Sequence, residues 1–387
     1  MLEGLMVVEM ATYIAGPSAA GLLADWGADV IKVESSEGDP ARRLYDTDSP
    51  NGVSPVFEMD NRGKRSVVLD IRSPEGRDAM LALLSTADVF ITSVRHGALR
   101  RAGLDFDSLH EINPCLIHAS VSAYGSIGPD AGLPGFDNAA FWARSGIAGM
   151  ITPEGAEHFP LRTGMGDHSC ALALALGVMT ALFDRTRTGV GRRVEASLLR
   201  SGTFALGSDL SVFLRTGRTR PQRPQSGNTI PLLNFFRSAD GQPFMLMPRL
   251  SNADWPKIAT VAERTHLIED PRFSTPEQRQ EHVAELVSEL SAGLAALPFA
   301  ELVRRFTEAD LVWAPVQSLE QVSTDPQASA AGCFLLTEDD GGEPFRLPAG
   351  PVEFPGREGS IARAVPALGE HTHEILSRIK PRQQAAE

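Results

Sequence analysis

Apolar residues fall along the chain in short runs of strand length separated by stretches with helical spacing. Leu5 to Met10 is compact and apolar. A loop with Ala15-Gly16-Pro17 follows, then a helical stretch from Ser18 to Trp26 closed by Gly27, and Ala28 to Glu34 (ADVIKVE) reads as a second strand. Strand, glycine-containing turn, helix and strand in about thirty residues predict a right-handed βαβ unit. Arg65 to Ile71, Asp88 to Val94 and Cys115 to Val121 read as further strands, and Ser73-Pro74-Glu75 opens a helix with a cap and a proline in its first turn. This alternation predicts an α/β fold with a parallel sheet covered by helices. There is no GxGxxG, so the dinucleotide fingerprint is absent and Glu34 alone does not replace it.

The pattern shifts near Arg215 to Asn228, which is basic, contains proline and is short of apolar residues. It divides the chain into a large domain at 1–214, a linker at 215–228, a smaller α+β domain at 229–328 and a loop-rich segment at 329–387. In the smaller domain, Asn234 to Arg237 and Pro243 to Met247 pair around Asp240-Gly241. Helices are predicted over Glu277 to Leu297 and Phe299 to Ala309, and the last segment ends in a helix over Glu370 to Ile379.

Charge and cysteine content narrow the classes of partner. A formal charge of −13 argues against nucleic acid and anionic membrane surfaces, which call for clustered Lys and Arg. Cys115, Cys170 and Cys333 are too far apart for a CxxC or metal pattern and suit a reducing cytoplasm. The first residues lack the basic start of a secretory signal. The longest apolar run, Ala171 to Phe183, is too short for a bilayer and is interrupted by Gly177, so a soluble cytoplasmic protein is expected.

The stretch from Arg162 to Arg185 carries the sharpest chemical signal. Asp167 follows Gly164-Met165-Gly166 and precedes a long apolar run that reads as a buried helix. Glycines there let the backbone approach a ligand or turn tightly. A helix start favours an aspartate both as a plain N-cap and as an ionised nucleophile. Nearby Cys170 is a second nucleophile by type, against the ordinary role of a buried small hydrophobe. Two basic clusters, Asn61 to Arg65 before a strand and Arg95 to Arg101 after one, read as solvated charge or as anion sites. The second is the better placed, because ligands of open α/β sheets bind beyond the carboxyl ends of strands. Ala123 to Ser145 begins as a Gly- and Pro-rich loop of the kind that carries function.

Together several motifs resemble the class III CoA-transferase family, the carnitine and formyl-CoA transferase type. They are Ala15-Gly16-Pro17, Leu22 to Glu34, Gly38-Asp39-Pro40, Asn61 to Leu69, Gly166-Asp167, Arg187 to Gly191 and Pro366 to Thr372. The resemblance implies a Rossmann-like large domain built from both chain ends, so that 329–387 returns to it, and an interlocked homodimer. It also implies Asp167 as catalytic nucleophile and Arg101, Ala98, Tyr124, Ile14 and Ala15 as CoA-binding positions. CoA and acyl-CoA are then substrates, with no metal and no tightly bound cofactor. The activity implied is transfer of CoA from an acyl-CoA donor to a carboxylic acid through an aspartyl intermediate.

Departures from the family pattern refine this. Ile14 stands where some members have glutamine, and Ser35 and Ser36 where others have arginine, which argues against formyl and oxalyl specificity. The alternative is an isomerase of the α-methylacyl-CoA racemase type, which shares the fold and uses a Gly-His-Asp loop. Here that loop reads Gly135-Phe136-Asp137, and phenylalanine transfers no proton. Gly166-Asp167-His168, Phe141 to Gly146 and Trp255-Pro256-Lys257 look most like the branch acting on 2-hydroxy acids and aryl or branched-chain acids.

Overall fold

The computed structural model describes residues 1–45, 52–219, 222–249, 252–339, 342–356 and 364–378. Its chain divides into two compact units. The first comprises Met1–Gly149, Phe159–Arg218 and Ala330–Glu387; the second comprises Met150–His158 and Thr219–Ser329. The short Met150–His158 piece of the second unit lies within the stretch that composition assigned to the large domain.

In the first unit, β1 (Met6–Met10), β2 (Asp29–Glu34), β3 (Arg65–Val68), β4 (Val89–Thr92), β5 (Ile117–Ser122) and β6 (Arg193–Ser197) form one sheet in the order β3-β2-β1-β4-β5-β6. Every pair is parallel, with Val7 opposite both Val30 and Val89. Strand order reverses between β1 and β4, and that switch point leaves a crevice outside the carboxyl ends of the strands. The helices between strands are α1 (Ala15–Asp25), α2 (Pro55–Asn61), α3 (Pro74–Leu84), α4 (His96–Ala102) and α5 (Phe106–Ile112). A wide π-type turn at Asn138–Ala143, α6 (Ile147–Ile151) and the long α7 (Met165–Thr188) lead into β6; α8 (Leu198–Ala205) and α9 (Gly207–Thr216) follow it.

Strand alternation sends apolar side chains into two cores, one on each face. Val7, Val30, Val89 and Ile91 pack with Ala19 and Leu23 of α1 and Leu174 and Val178 of α7. Val8, Ile31, Val33 and Phe90 pack with Met80 and Leu84 of α3, Leu99 of α4 and Leu109 of α5. By length and composition α7 could cross a membrane, but one long face of it belongs to the first core.

Several elements differ from expectation. The predicted loop Ala15-Gly16-Pro17 is the first turn of α1, a place where proline is tolerated because its missing N–H would be unpaired anyway. β6 passes directly into α8 at Ser197, whose hydroxyl accepts from Arg200 N at 3.2 Å and caps the helix. The loop-rich C-terminal part contains an antiparallel hairpin, Phe334–Glu338 with Pro344–Pro348, and its last helix runs over Thr372–Arg378, with Ile379 outside the described residues.

In the second unit, Asn234–Arg237, Pro243–Met247 and Val312–Pro315 make an antiparallel sheet. The third strand has too little alternation to be read from sequence. The predicted helix Glu277 to Leu297 is two helices, Pro276–Glu281 and Val283–Leu294, broken at His282, and another helix covers Asp254–Val261. Phe244, Trp255, Phe273 and Phe306 fill this unit's core.

Candidate active site

A cleft of about 320 Å³ opens at the switch point. Its walls are the segment after β1 (Thr12 to Gly16), the segment after β4 (Ser93 to His96), the end of β5 and the loop Leu133 to Phe136, and Asp167 lines it.

The wall after β1 is held from beneath by buried charge. Glu9, Lys32 and Lys64 are fully buried, yet each meets an opposite charge. Lys32 Nζ lies 2.7 Å from Glu9 Oε1 and 2.8 Å from Asp39 Oδ2, and Lys64 Nζ lies 2.6 Å from Glu9 Oε2. The same ammonium groups donate to backbone of the wall, Lys32 to Ala11 O at 3.1 Å and Lys64 to Pro17 O at 2.7 Å. Asp39 Oδ1 accepts from Tyr13 N at 3.0 Å and fixes that residue in the left-handed region at φ 64°, a conformation rare for a bulky side chain. Burial and the neighbouring Lys32 pull Lys64 down to about 8, while Glu9, Asp39 and Glu34 outweigh burial and raise Lys32. Glu34 is not a ribose ligand; it accepts from Arg42, from Ser66 Oγ at 2.7 Å and from Asp39 N at 2.9 Å. The cluster Asn61 to Arg65 is likewise not a free basic surface, since Arg62 pairs with Asp25 and Arg65 with Asp29. Charges inside apolar strands, as in VVEM and VIKVE, were the signal for this network.

Asp167 stands in the first turn of α7. The helix is capped by Gly164 in the left-handed conformation, φ 82°, with no side-chain cap, so Asp167 is the third helical residue and not the N-cap. Gly164 N donates to Asp137 Oδ2 at 3.2 Å, and Asn138 exchanges hydrogen bonds with Leu161, tying this turn to the π-type segment. Gly166 is required by packing: a Cβ there would lie 2.7 Å from Phe141 Cγ and 2.8 Å from Asp137 Cβ. The Asp167 carboxylate accepts no hydrogen bond from a described residue. Burial, then Asp137 and Asp60, push it up to about 7, with His168 opposing. Desolvation and two neighbouring carboxylates thus act against the ionised form that the helix start favours. Cys170 is buried, and burial pushes its thiol up to about 11, so it is a core residue rather than a poised nucleophile.

The structure brings Ile14, Ala15 and Asp167 into the one cleft. Tyr124 lines an adjoining recess with Ser126 and Arg200, and Arg144 stacks over its ring at 4.9 Å. Ala98 and Arg101 lie on α4, whose residues His96 and Leu99, with Arg95 at its N-cap, line the cleft; Arg101 itself is exposed and folds back towards Gly97. A further recess, formed by His96, Arg100, Ser126, Arg193, Glu195 and Arg200, adds Arg193, which pairs with Glu195, and Arg200 to the Arg95 to Arg101 cluster; sequence reading missed these two because β6 and α8 are distant in the chain. Phe136, at the place of the racemase histidine, is exposed and meets Tyr13 edge-on at 5.2 Å.

Comparison with known proteins fits this geometry. The model of CoA-transferase family III matches residues 2–372. An (R)-2-hydroxy-4-methylpentanoate CoA-transferase of Clostridioides difficile is 32% identical over 98% of this chain and 95% of its own length. A cinnamoyl-CoA:phenyllactate CoA-transferase of Clostridium sporogenes is 30% identical over 100% of this chain and 95% of its own. Among solved structures, a CAIB/BAIF family protein from Brucella suis superposes with a TM-score of 0.86 at 29% identity, covering 98% of this chain and 99% of that one. With a parallel sheet in this order, a cleft at its switch point and a family match over nearly its whole length, the chain belongs to CoA-transferase family III and is an enzyme of that class.

Proposed function

We propose that Asp167 is the nucleophile of a CoA transfer between an acyl-CoA and a 2-hydroxy acid of branched or aryl type. The observation that carries this reading is a carboxylate in the switch-point cleft, at the first turn of a long helix, that accepts no hydrogen bond from a described residue. The acid class rests on the two relatives named above.

The carboxylate attacks the thioester carbonyl, giving a mixed anhydride and CoA thiolate. The thiolate attacks the aspartyl carbonyl, forming an aspartyl-CoA thioester and releasing the first acid. The acceptor carboxylate attacks that thioester, and the thiolate expelled then attacks the acceptor's acyl carbonyl, leaving a new acyl-CoA and free Asp167. Each tetrahedral oxyanion needs backbone donors. Gly164 N is committed to Asp137, whereas the N–H groups of Gly166 and Asp167 have no described partner and suit the task. The pantetheine follows the cleft outward, with Ile14 and Ala15 along it. Arg95, Arg100 and Arg200 suit the nucleotide phosphates, with Ala98, Arg101 and Tyr124 near the same rim and Arg193 paired with Glu195. No further cofactor enters these steps.

We also read the functional form as a homodimer. On α7, Met165, Leu172, Leu176 and Phe183 form an exposed apolar stripe, and α9 has no buried residue. A stripe of this kind calls for a partner surface.

A screen of acyl-CoA and acid pairs, read by mass spectrometry for new acyl-CoA products, tests the reading. Transfer to 2-hydroxy-4-methylpentanoate or phenyllactate is expected, and Asp167→Asn should abolish it while leaving the fold intact. Near-normal transfer by that variant would refute the nucleophile.

A further inference from the structure

Three carboxylates from three separate elements converge at the start of α7: Asp60 from α2, Asp137 from the head of the π-type turn, and Asp167 itself. Like charges brought together away from water drive one of the group to take a proton, and a protonated aspartate is no nucleophile. One side chain that becomes cationic near neutral pH stands among them. His168 Nε2 lies 3.1 Å from Asp60 Oδ1, and the Asp60 side chain is 2% exposed. Its other oxygen, Oδ2, is buried without a hydrogen-bond partner among the described residues, where the contact to His168 is the pairing that its carboxylate has. Lys64 also faces Asp60, but its ammonium is committed to Glu9, Pro17 O and Asn61 Oδ1.

We propose that His168, held by Asp60, is a positioning residue whose cation cancels the Asp60 charge and keeps the neighbouring Asp167 carboxylate ionised. This rests on Asp167 being the nucleophile. The pair works as a unit, since a buried anion left without its counter-ion acts on every carboxylate nearby. Burial alone would depress the imidazole; the hydrogen bond and charge of Asp60, then Asp167 and Asp137, outweigh it and raise it, which favours the cation. Removing His168 alone leaves Asp60 uncompensated beside Asp167. Removing both partners takes away the uncompensated charge and leaves Asp137 as the neighbouring carboxylate, as in the wild type.

The test is the pH profile of kcat/KM for His168→Gln, Asp60→Asn and the double variant, measured with the acyl-CoA and acid pair on which the wild type is fastest. In His168→Gln the acidic limb should move up by about one unit, a tenfold loss below the limb that disappears at high pH. The double variant should bring the limb back close to the wild-type position. A loss equal at all pH values, or a limb that does not move, overturns the proposal. Histidine labelled with ¹³C at Cε1 provides a readout independent of turnover. The resonance missing from His168→Gln should titrate above the ordinary histidine value in the wild type and fall in Asp60→Asn; titration at or below the ordinary value also overturns it. Acylation of Asp167 by acyl-CoA separates the two readings. An acylated Asp167 with an unmoved limb sinks only the role of His168, whereas an unacylated Asp167 in the wild type sinks the nucleophile.

Discussion

Glu9 and Lys64, 55 residues apart in sequence, meet at 2.6 Å with both side chains fully buried. The contact joins the first strand to the residue before the third and, through Lys64 Nζ, holds the carbonyl of Pro17 in the wall of the cleft. Removing Lys64 leaves Glu9 Oε2, Pro17 O and Asn61 Oδ1 without their donor, while Lys32 still pairs Glu9 Oε1, so the cost should approach but not exceed the about 3–5 kcal/mol of breaking a buried pair outright. Lys64→Met is therefore expected to lower the urea midpoint of unfolding sharply. A shift of less than 1 kcal/mol, the size typical of surface pairs, would contradict the description of this network.

Gly166 fixes the distance between α7 and the π-type turn. Gly166→Ala pushes a methyl group into Phe141 and Asp137, which costs about 1–3 kcal/mol where a packed site must yield. Because the strain falls on the residue before Asp167, the loss in CoA transfer should exceed tenfold while circular dichroism still reports a folded protein. Unchanged kcat would contradict the tight fit drawn here.

The raised pKa of Asp167 has two pH consequences. Transfer requires its ionised form, so kcat/KM should rise through an acidic limb near pH 7 in the free enzyme. For stability the sign is opposite. The folded state holds a proton on Asp167 that the unfolded chain releases near pH 4, so this group's contribution is fully present below pH 4 and is lost as pH rises through about 7. Asp167→Asn, which cannot ionise, should then be more stable than the wild type at pH 8 by about 1–2 kcal/mol, allowing for the water that reaches the cleft. The difference should vanish at pH 4. Equal stability at both pH values would contradict the burial argument.

If the exposed stripe on α7 is a dimer surface, charge placed in it should separate the subunits. Leu176 and Phe183 are 69% and 67% exposed. The double variant Leu176→Glu, Phe183→Glu should sediment as a monomer where the wild type sediments as a dimer. A wild type that is itself monomeric at nanomolar concentration would remove the homodimer reading.

Much of this architecture was legible because strands and helices of the first unit carry their periods openly. Val7 and Val8 point to opposite cores as alternation demands, and Ser73 caps α3 through Gly76 N at 3.0 Å. The site was legible only in part. Asp167 stood out through its glycines, but its surroundings depend on Asp60 and Asp137, which are 107 and 30 residues earlier in the chain and become neighbours only on folding. The same holds for Arg193 and Arg200, brought to the rim by β6 and α8. Lys64 looked like surface charge because its partner, Glu9, lies in a different strand. Local pattern reports period and capping; it does not report which distant charges meet.

The account turns on the covalent step at Asp167, and trapping it is the most direct measurement. The protein is incubated with an acyl-CoA substrate and no acceptor acid, quenched with hydroxylamine, digested and read by peptide mass spectrometry. A hydroxamate on Asp167, absent from Asp167→Asn and from samples without acyl-CoA, is the predicted result. No modification of that peptide under conditions of active transfer, or a label on Cys170 instead, would contradict it.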